Sequence, residues 1–154
     1  MSSGLWLPVA HPDFFAQVAP WFMALPHCKT LGLELVTAGR GKVTLKLPFK
    51  DALIGNPETR VLHGGVVTSL IDTASGISLY TLLDQPEAAA TLDLRIDYLR
   101  PAKPDLPLYC TAECYRLTES IAFMRATAYQ ADPDKPVAHS VSTFARMAST
   151  KESA

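Results

Sequence analysis

Twenty consecutive residues, Gly64 to Leu83, carry a single charge, the carboxylate of Asp72. A run of that kind has two homes: a membrane or the inside of a domain. The membrane reading fails on detail. Asp72 lies mid-run, where a charge in hydrocarbon is costly. Gly64, Gly65, Thr68, Ser69, Thr73, Ser75, Gly76, Ser78 and Thr81 make the run too polar for a span. The segment reads as a buried core helix, and the rest of the chain must supply its cover.

A chain of 154 residues can do so as one domain, residues 1–154. Its apolar content of 48% argues against disorder. With 14 basic against 15 acidic side chains there is no basic footprint for nucleic acid. Charged residues reach only 19%, below the ~25% of an average domain. A small protein with so little charge either exposes apolar surface or covers it with a second copy. Cys28, Cys110 and Cys114 lack metal-ligand spacing and read as packing thiols in a reducing compartment. The first lysine or arginine is Lys29, and Pro8 and Pro12 interrupt the early apolar run. A targeting peptide is not expected, and a cytoplasmic location is.

Along the chain, residues 1–12 read as an irregular arm and, with a short helix, make up an N-terminal segment over residues 1–25. Asp13 is a candidate N-cap for that helix, Phe14 to Leu25, which Pro26 ends. Leu31–Thr37 and Lys42–Pro48 predict two strands joined at Ala38-Gly39-Arg40-Gly41. A loop over residues 49–62 precedes the apolar helix. Alternation then predicts a strand over Leu92–Tyr98, stopped by Pro101, and three more over Leu106–Leu117, Ile121–Gln130 and Val137–Met147. An antiparallel sheet wrapped around one buried helix, an α+β arrangement, is the natural packing for that order.

At ~100° per residue, Gly65, Thr68, Ser69, Asp72, Ser75 and Gly76 share one stripe of the helix. Val66, Leu70, Ile77 and Tyr80 point away from it, toward the sheet. A lone carboxylate on a small polar stripe needs a partner or a task, because desolvation favours its neutral form. Neighbouring Ser or Thr hydroxyls are one answer and chemistry is another. His63-Gly64-Gly65 opens the same helix, where free N–H groups and the helix dipole attract negative charge. A plain glycine turn would read the same way. His63 and Asp72 stand nine residues apart, ~13 Å of rise and about half a turn. They cannot form an acid–base dyad within one chain. Two such helices antiparallel about a two-fold axis would set each helix start beside the other's middle.

Asn56, Val61-Leu62-His63-Gly64-Gly65, Asp72, and Thr91 opening a strand that ends Asp97-Tyr98-Leu99-Arg100-Pro101-Ala102 together resemble the hotdog-fold thioesterases. The nearest likeness is to the phenylacetic-acid-degradation (PaaI-type) acyl-CoA thioesterases. The element order extends it from about residue 25 to 147. The resemblance implies a hotdog fold and hydrolysis of a medium-chain or aryl acyl-CoA. Asp72 would be the base or nucleophile, and the Gly64 N–H would hold the thioester oxygen. Gly65 would permit close approach, Asn56 would polarise the carbonyl or orient water, and His63 would hold the loop. Thr91 would help position the water. Gly65, Ser69 and Arg100 would touch substrate, with Arg95 and Lys103 as further candidates for the coenzyme A phosphates. The resemblance calls on no metal and no cofactor, coenzyme A being part of the substrate. It implies a dimer or dimer of dimers with sites at the subunit interface.

A non-catalytic acyl-CoA-binding module on the same fold is the alternative. A hydratase would need a carboxylate–histidine dyad, which the half-turn offset opposes. Of the remaining residues, His11 and His27 read as surface or packing residues and His139 as a core histidine. Trp6, Trp21 and Phe22 could line an acyl pocket or a subunit seam, with core packing the preferred reading.

Overall fold

The computed structural model describes residues 5–148. Residues 1–4 of the expected arm, and the last six residues of the chain, lie outside the described residues. Helix α1 covers Pro12–Ala24 and α2 covers Pro26–Leu31. Strands β1 (Glu34–Gly39) and β2 (Lys42–Leu47) form a hairpin; α3 covers Gly64–Tyr80. Strands β3 (Glu87–Tyr98), β4 (Leu108–Leu117), β5 (Ile121–Tyr129) and β6 (Ala138–Ala148) complete the chain. All neighbours pair antiparallel, in the spatial order β1-β2-β4-β5-β6-β3. One sheet thus wraps one long helix, as expected.

The wrap follows from burial. Val43, Leu45 and Leu47 of β2, Leu108, Cys110 and Ala112 of β4, and Ala122, Met124, Ala126 and Ala128 of β5 turn inward. They meet Leu70, Ile71, Ala74 and Ile77 of α3, which contacts chiefly β4, β2 and β5. Alanines on β5, and Ala138, Ser140 and Ser142 on β6, let the helix seat close to the sheet. At ~25 cal/mol per Å², each large side chain buried here contributes about 1.5–3 kcal/mol.

Several expectations shift at element ends. Pro12 opens α1, where its missing N–H costs nothing. Asp13 therefore sits in the first turn, where its charge suits the helix dipole, and is not the cap. Residues Pro26–Leu31, expected to lead into a strand, form α2, closed by Gly32 at φ +73°. Strand β3 begins at Glu87, earlier than its alternation suggests, because Ala88–Ala90 carry no period of their own. A bulge between Thr91 and Asp93 then resets its register against β6.

Three side chains face the other way from their expectation. His139 is exposed on the outer sheet face, its Nδ1 3.2 Å from Thr127 Oγ1, because β6 turns Ala138, Ser140 and Ser142 inward instead. Ser75 is fully buried against the sheet and leaves the polar stripe. Trp21 is 59% exposed, not core.

Candidate active site

The loop before α3 is built to deliver a helix start. Gly55 N–H donates to the Val61 carbonyl at 2.8 Å, and His63 N–H to the Leu53 carbonyl at 2.9 Å. Ile54 and Leu62 form a bridge between them. A Cβ on Gly55 would stand 2.7 Å from His63 Cα, so only glycine permits this approach. Arg60, in the left-handed region at φ 59°, clasps Asp51 at 3.0 Å and Asp105 at 2.7 Å. Hydrogen bonding to Arg60 holds the Asp105 carboxyl below its ordinary range. Asn56 folds back into its own turn: Glu58 and Thr59 N–H donate to its Oδ1 at 2.9 and 3.4 Å. Its amide nitrogen is the part of the side chain left to meet a substrate.

At the helix start, His63 Nδ1 accepts the Gly65 N–H at 2.8 Å, capping α3. Val66 N–H closes on the His63 carbonyl at 3.0 Å. Among the described residues the Gly64 N–H donates to nothing, and Gly64 is exposed. A Cβ on Gly65 would lie 2.9 Å from the His63 ring, whereas one on Gly64 would meet only the Tyr98 ring at 3.6 Å. Tyr98 buttresses this corner. Its hydroxyl donates to the Gly64 carbonyl at 2.9 Å and lies 2.7 Å from Thr68 Oγ1. A single free N–H at the positive end of a 17-residue helix is equipped to receive developing negative charge.

Two turns further on, Asp72 is half-buried, and the Thr91 hydroxyl donates to its Oδ1 at 2.8 Å. The bulge of β3 starts at Thr91, so the sheet itself aims this hydroxyl at α3. Asp72 and Thr91 share a cleft of about 440 Å³ with Trp21, Phe22, His27, Gly76, Tyr80 and Phe144 among its walls. His27 reaches the polar stripe from α2, its Nε2 3.1 Å from Ser69 Oγ. Nothing local in the sequence announces this, since His27 and Ser69 are 42 residues apart. Cys28 also lines the cleft, and burial raises its thiol, so it is no ready nucleophile. Burial, then the nearby Glu87 carboxylate, holds the Tyr80 phenol above its ordinary value and so protonated.

Arg100 is exposed beyond the end of β3, and Arg95 pairs with Asp97 at 3.2 Å. A larger cleft, about 550 Å³ on the outer sheet face, is lined by Trp6, Lys42, Arg125 and His139 and contains none of the expected site residues. Size and chemistry disagree here, and the convergent carboxylate and hydroxyl make the smaller cleft the candidate site. The described residues bring no three metal-ligating side chains together. Among the described residues no helix is long and apolar enough to cross a membrane.

A family model described as the thioesterase superfamily matches residues 60–137, the stretch that holds the helix start, Asp72, Thr91 and Tyr98. A crystal structure of a Pseudomonas aeruginosa protein superposes with a TM-score of 0.77 at 48% identity, covering 86% of this chain and 99% of that one. The E. coli PaaI protein from the phenylacetic acid degradation operon shares the fold, with a TM-score of 0.76 at 23% identity over 88% of this chain and 94% of its own. The Salmonella typhimurium medium/long-chain acyl-CoA thioesterase YigI is 29% identical over 121 residues, 70% of this chain and 77% of that relative. The chain spans only about half the length of other curated relatives it matches, which are named as esterases. With the family model covering just over half of the 154 residues, and the matched stretch being the one that builds the site, this chain belongs to the thioesterase superfamily.

Proposed function

We propose that the chain hydrolyses acyl-CoA thioesters at sites shared between two copies of itself. The observation that carries this reading is the spacing on α3. The free Gly64 N–H and the Asp72 carboxylate lie eight residues apart on one rigid helix, about 12 Å of rise. One thioester carbonyl cannot meet both within a chain. A second α3, antiparallel to the first, would bring one copy's helix start to the other's Asp72. The unpaired outer edge of β3, with Leu92 58% and Tyr98 52% exposed, supports such pairing.

In the assembled site the thioester oxygen receives the Gly64 N–H of one copy. That interaction strengthens as the carbonyl oxygen gains charge in the tetrahedral transition state. Asp72 of the other copy takes a proton from water, which attacks the carbonyl carbon; alternatively its carboxylate attacks first and water releases the acyl group. Either way the C–S bond breaks, and free acid and the coenzyme A thiol leave. Thr91 orients the carboxylate. The Asn56 amide nitrogen and Arg100 face the carbonyl and the coenzyme A phosphates in this reading, and Ser69 lines the path. The relative named as a medium/long-chain acyl-CoA thioesterase supports acyl-CoA as the substrate class.

Two measurements test it. Asp72→Asn should lower kcat/KM on acyl-CoA by about three orders of magnitude. Mixing equal amounts of Asp72→Asn and Gly65→Ala chains should restore about a quarter of the wild-type activity, since half the dimers carry one intact site. Recovery no greater than the sum of the two separate variants would place both groups in a single chain. Binding of acyl-CoA without any turnover by the wild type would favour an acyl-CoA-binding module instead.

A further inference from the structure

The cleft beside Asp72 has a direction, a wall and an end. It follows α3 from Asp72 past Gly76 to Tyr80, all three of which line it. Trp21 and Phe22 of α1 form its side. Their rings meet edge-on at 5.1 Å, and Phe22 meets Tyr80 edge-on at 4.8 Å. Tyr80, the last residue of α3, and Glu87 stand at one end of that row of lining residues. The Tyr80 hydroxyl donates to the Glu87 carbonyl at 2.6 Å, and Arg146 holds the Glu87 carboxylate through two hydrogen bonds of 2.6 and 3.0 Å. That ion pair is 16% and 6% exposed at its two side chains.

We propose that α1 and this end wall form a length gauge for the acyl group, passing chains of about eight to ten carbons. The inference rests on the thioesterase reading, which places the reacting carbonyl at Asp72. From Asp72 to Tyr80 is about 12 Å along the helix. An extended chain advances ~1.2 Å per bond, as a peptide's 3.3–3.6 Å per three bonds implies. About ten bonds therefore reach the end wall. A longer chain presses methylene groups against a paired carboxylate and guanidinium that cannot solvate them. A compact aryl-acetyl group meets Phe22 first. Trp21, open to water in the chain, is the ring that a medium acyl chain would cover, and covering apolar surface gives each added methylene its share of binding.

The test is the acyl-length profile of the full chain on saturated acyl-CoAs from two to sixteen carbons. Wild-type kcat/KM should climb to eight or ten carbons and fall at least about tenfold by sixteen. Trp21→Ala should lower the eight-to-four-carbon ratio of kcat/KM about tenfold. Gly76→Leu, which plugs the cleft about 6 Å beyond Asp72, should lower that ratio about thirtyfold or more. A Cβ at Gly76 meets only the Phe144 ring, at 3.7 Å, so the helix tolerates a side chain there. A sixteen-carbon optimum, or equal losses at every length in both variants, would overturn the gauge. Failure of the wild type to hydrolyse any thioester would instead overturn the thioesterase reading. Fluorescence of Trp21 in a Trp6→Phe background then tests the cleft alone, because only two tryptophans are present. Acyl-CoAs of eight to ten carbons should shift that emission, and two-carbon acyl-CoA should not.

Discussion

The two ends of the site are built from different materials. At the start of α3, the donor is backbone, set among glycines and braced by two side chains. His63 claims one N–H, Gly64 keeps another free, Tyr98 grips a carbonyl, and Gly55 and Gly65 leave no room for a methyl group. Around Asp72, everything is side chain. One threonine hydroxyl orients the carboxylate, and rings from α1, α3 and β6 line the space beyond. The contrast separates two demands. Stabilising a developing oxyanion needs a donor placed to within a fraction of an ångström, which only a braced backbone provides. Selecting an acyl group needs a shaped apolar wall, and side chains can be exchanged there without disturbing the donor.

That contrast can be broken in order of effect. Removing the carboxylate with Asp72→Asn is the most severe change, as set out above. Gly65→Ala comes next. Its methyl group would displace the His63 ring, uncap α3 and shift the Gly64 donor. We expect a loss in kcat of about a hundredfold, the usual cost of one oxyanion donor. Unfolding should register about 1 kcal/mol lost with the cap. Full activity in that variant would mean that the helix start takes no part.

Thr91→Val probes the side-chain end. It removes the one hydrogen bond that the Asp72 carboxylate accepts among the described residues while keeping the β-branched shape. Loss of a hydrogen bond to a charged group predicts about a tenfold drop in kcat/KM. The melting temperature should hold, because Thr91 is exposed. A drop in stability without a drop in rate would make Thr91 structural only.

The smallest effect concerns the clasp beneath the donor end. Arg60 lowers the folded value of the Asp105 carboxyl. A depressed carboxylate stabilises fully above its unfolded value of ~3.9, and that stability is lost as pH falls through the lower folded value. Wild type should therefore melt higher than Asp105→Asn at neutral pH, and the two curves should converge as pH falls through the lowered folded value. A difference that persists unchanged at low pH would rule out the charge as its source.

Much of the donor end was legible in the residue order, because His63, Gly64, Gly65 and Asp72 lie on one helix and helical geometry converts spacing into distance. The polar stripe failed at Ser75 because a 100° step decides only angle, whereas burial depends on what packs against the helix, and Ser75 is fully buried. His139 was misjudged for a related reason. Its strand carries two alternating sets of similar hydropathy, and the set Ala138, Ser140, Ser142 and Phe144 takes the inner face. Cys110 and Cys114 did read correctly as packing residues. Cys110 is buried and Cys114 half-buried, its thiol pushed up to about 11, chiefly by desolvation.

The acyl cleft was legible only as one of the places open to Trp21 and Phe22, with core packing the preferred reading. Trp21, His27, Asp72, Tyr80, Thr91 and Phe144 come from five elements. No periodicity links them, and exposed aromatic residues on α1 look like ordinary core until the helix is seen beside α3. The sequence by itself determined one buried helix, its glycine start and its single carboxylate, because those follow from local geometry and from the cost of an isolated charge. Only the tertiary structure decided which N–H stays free, which hydroxyl meets Asp72 and how far the cleft runs. Those depend on distances between elements, which chain connectivity does not encode.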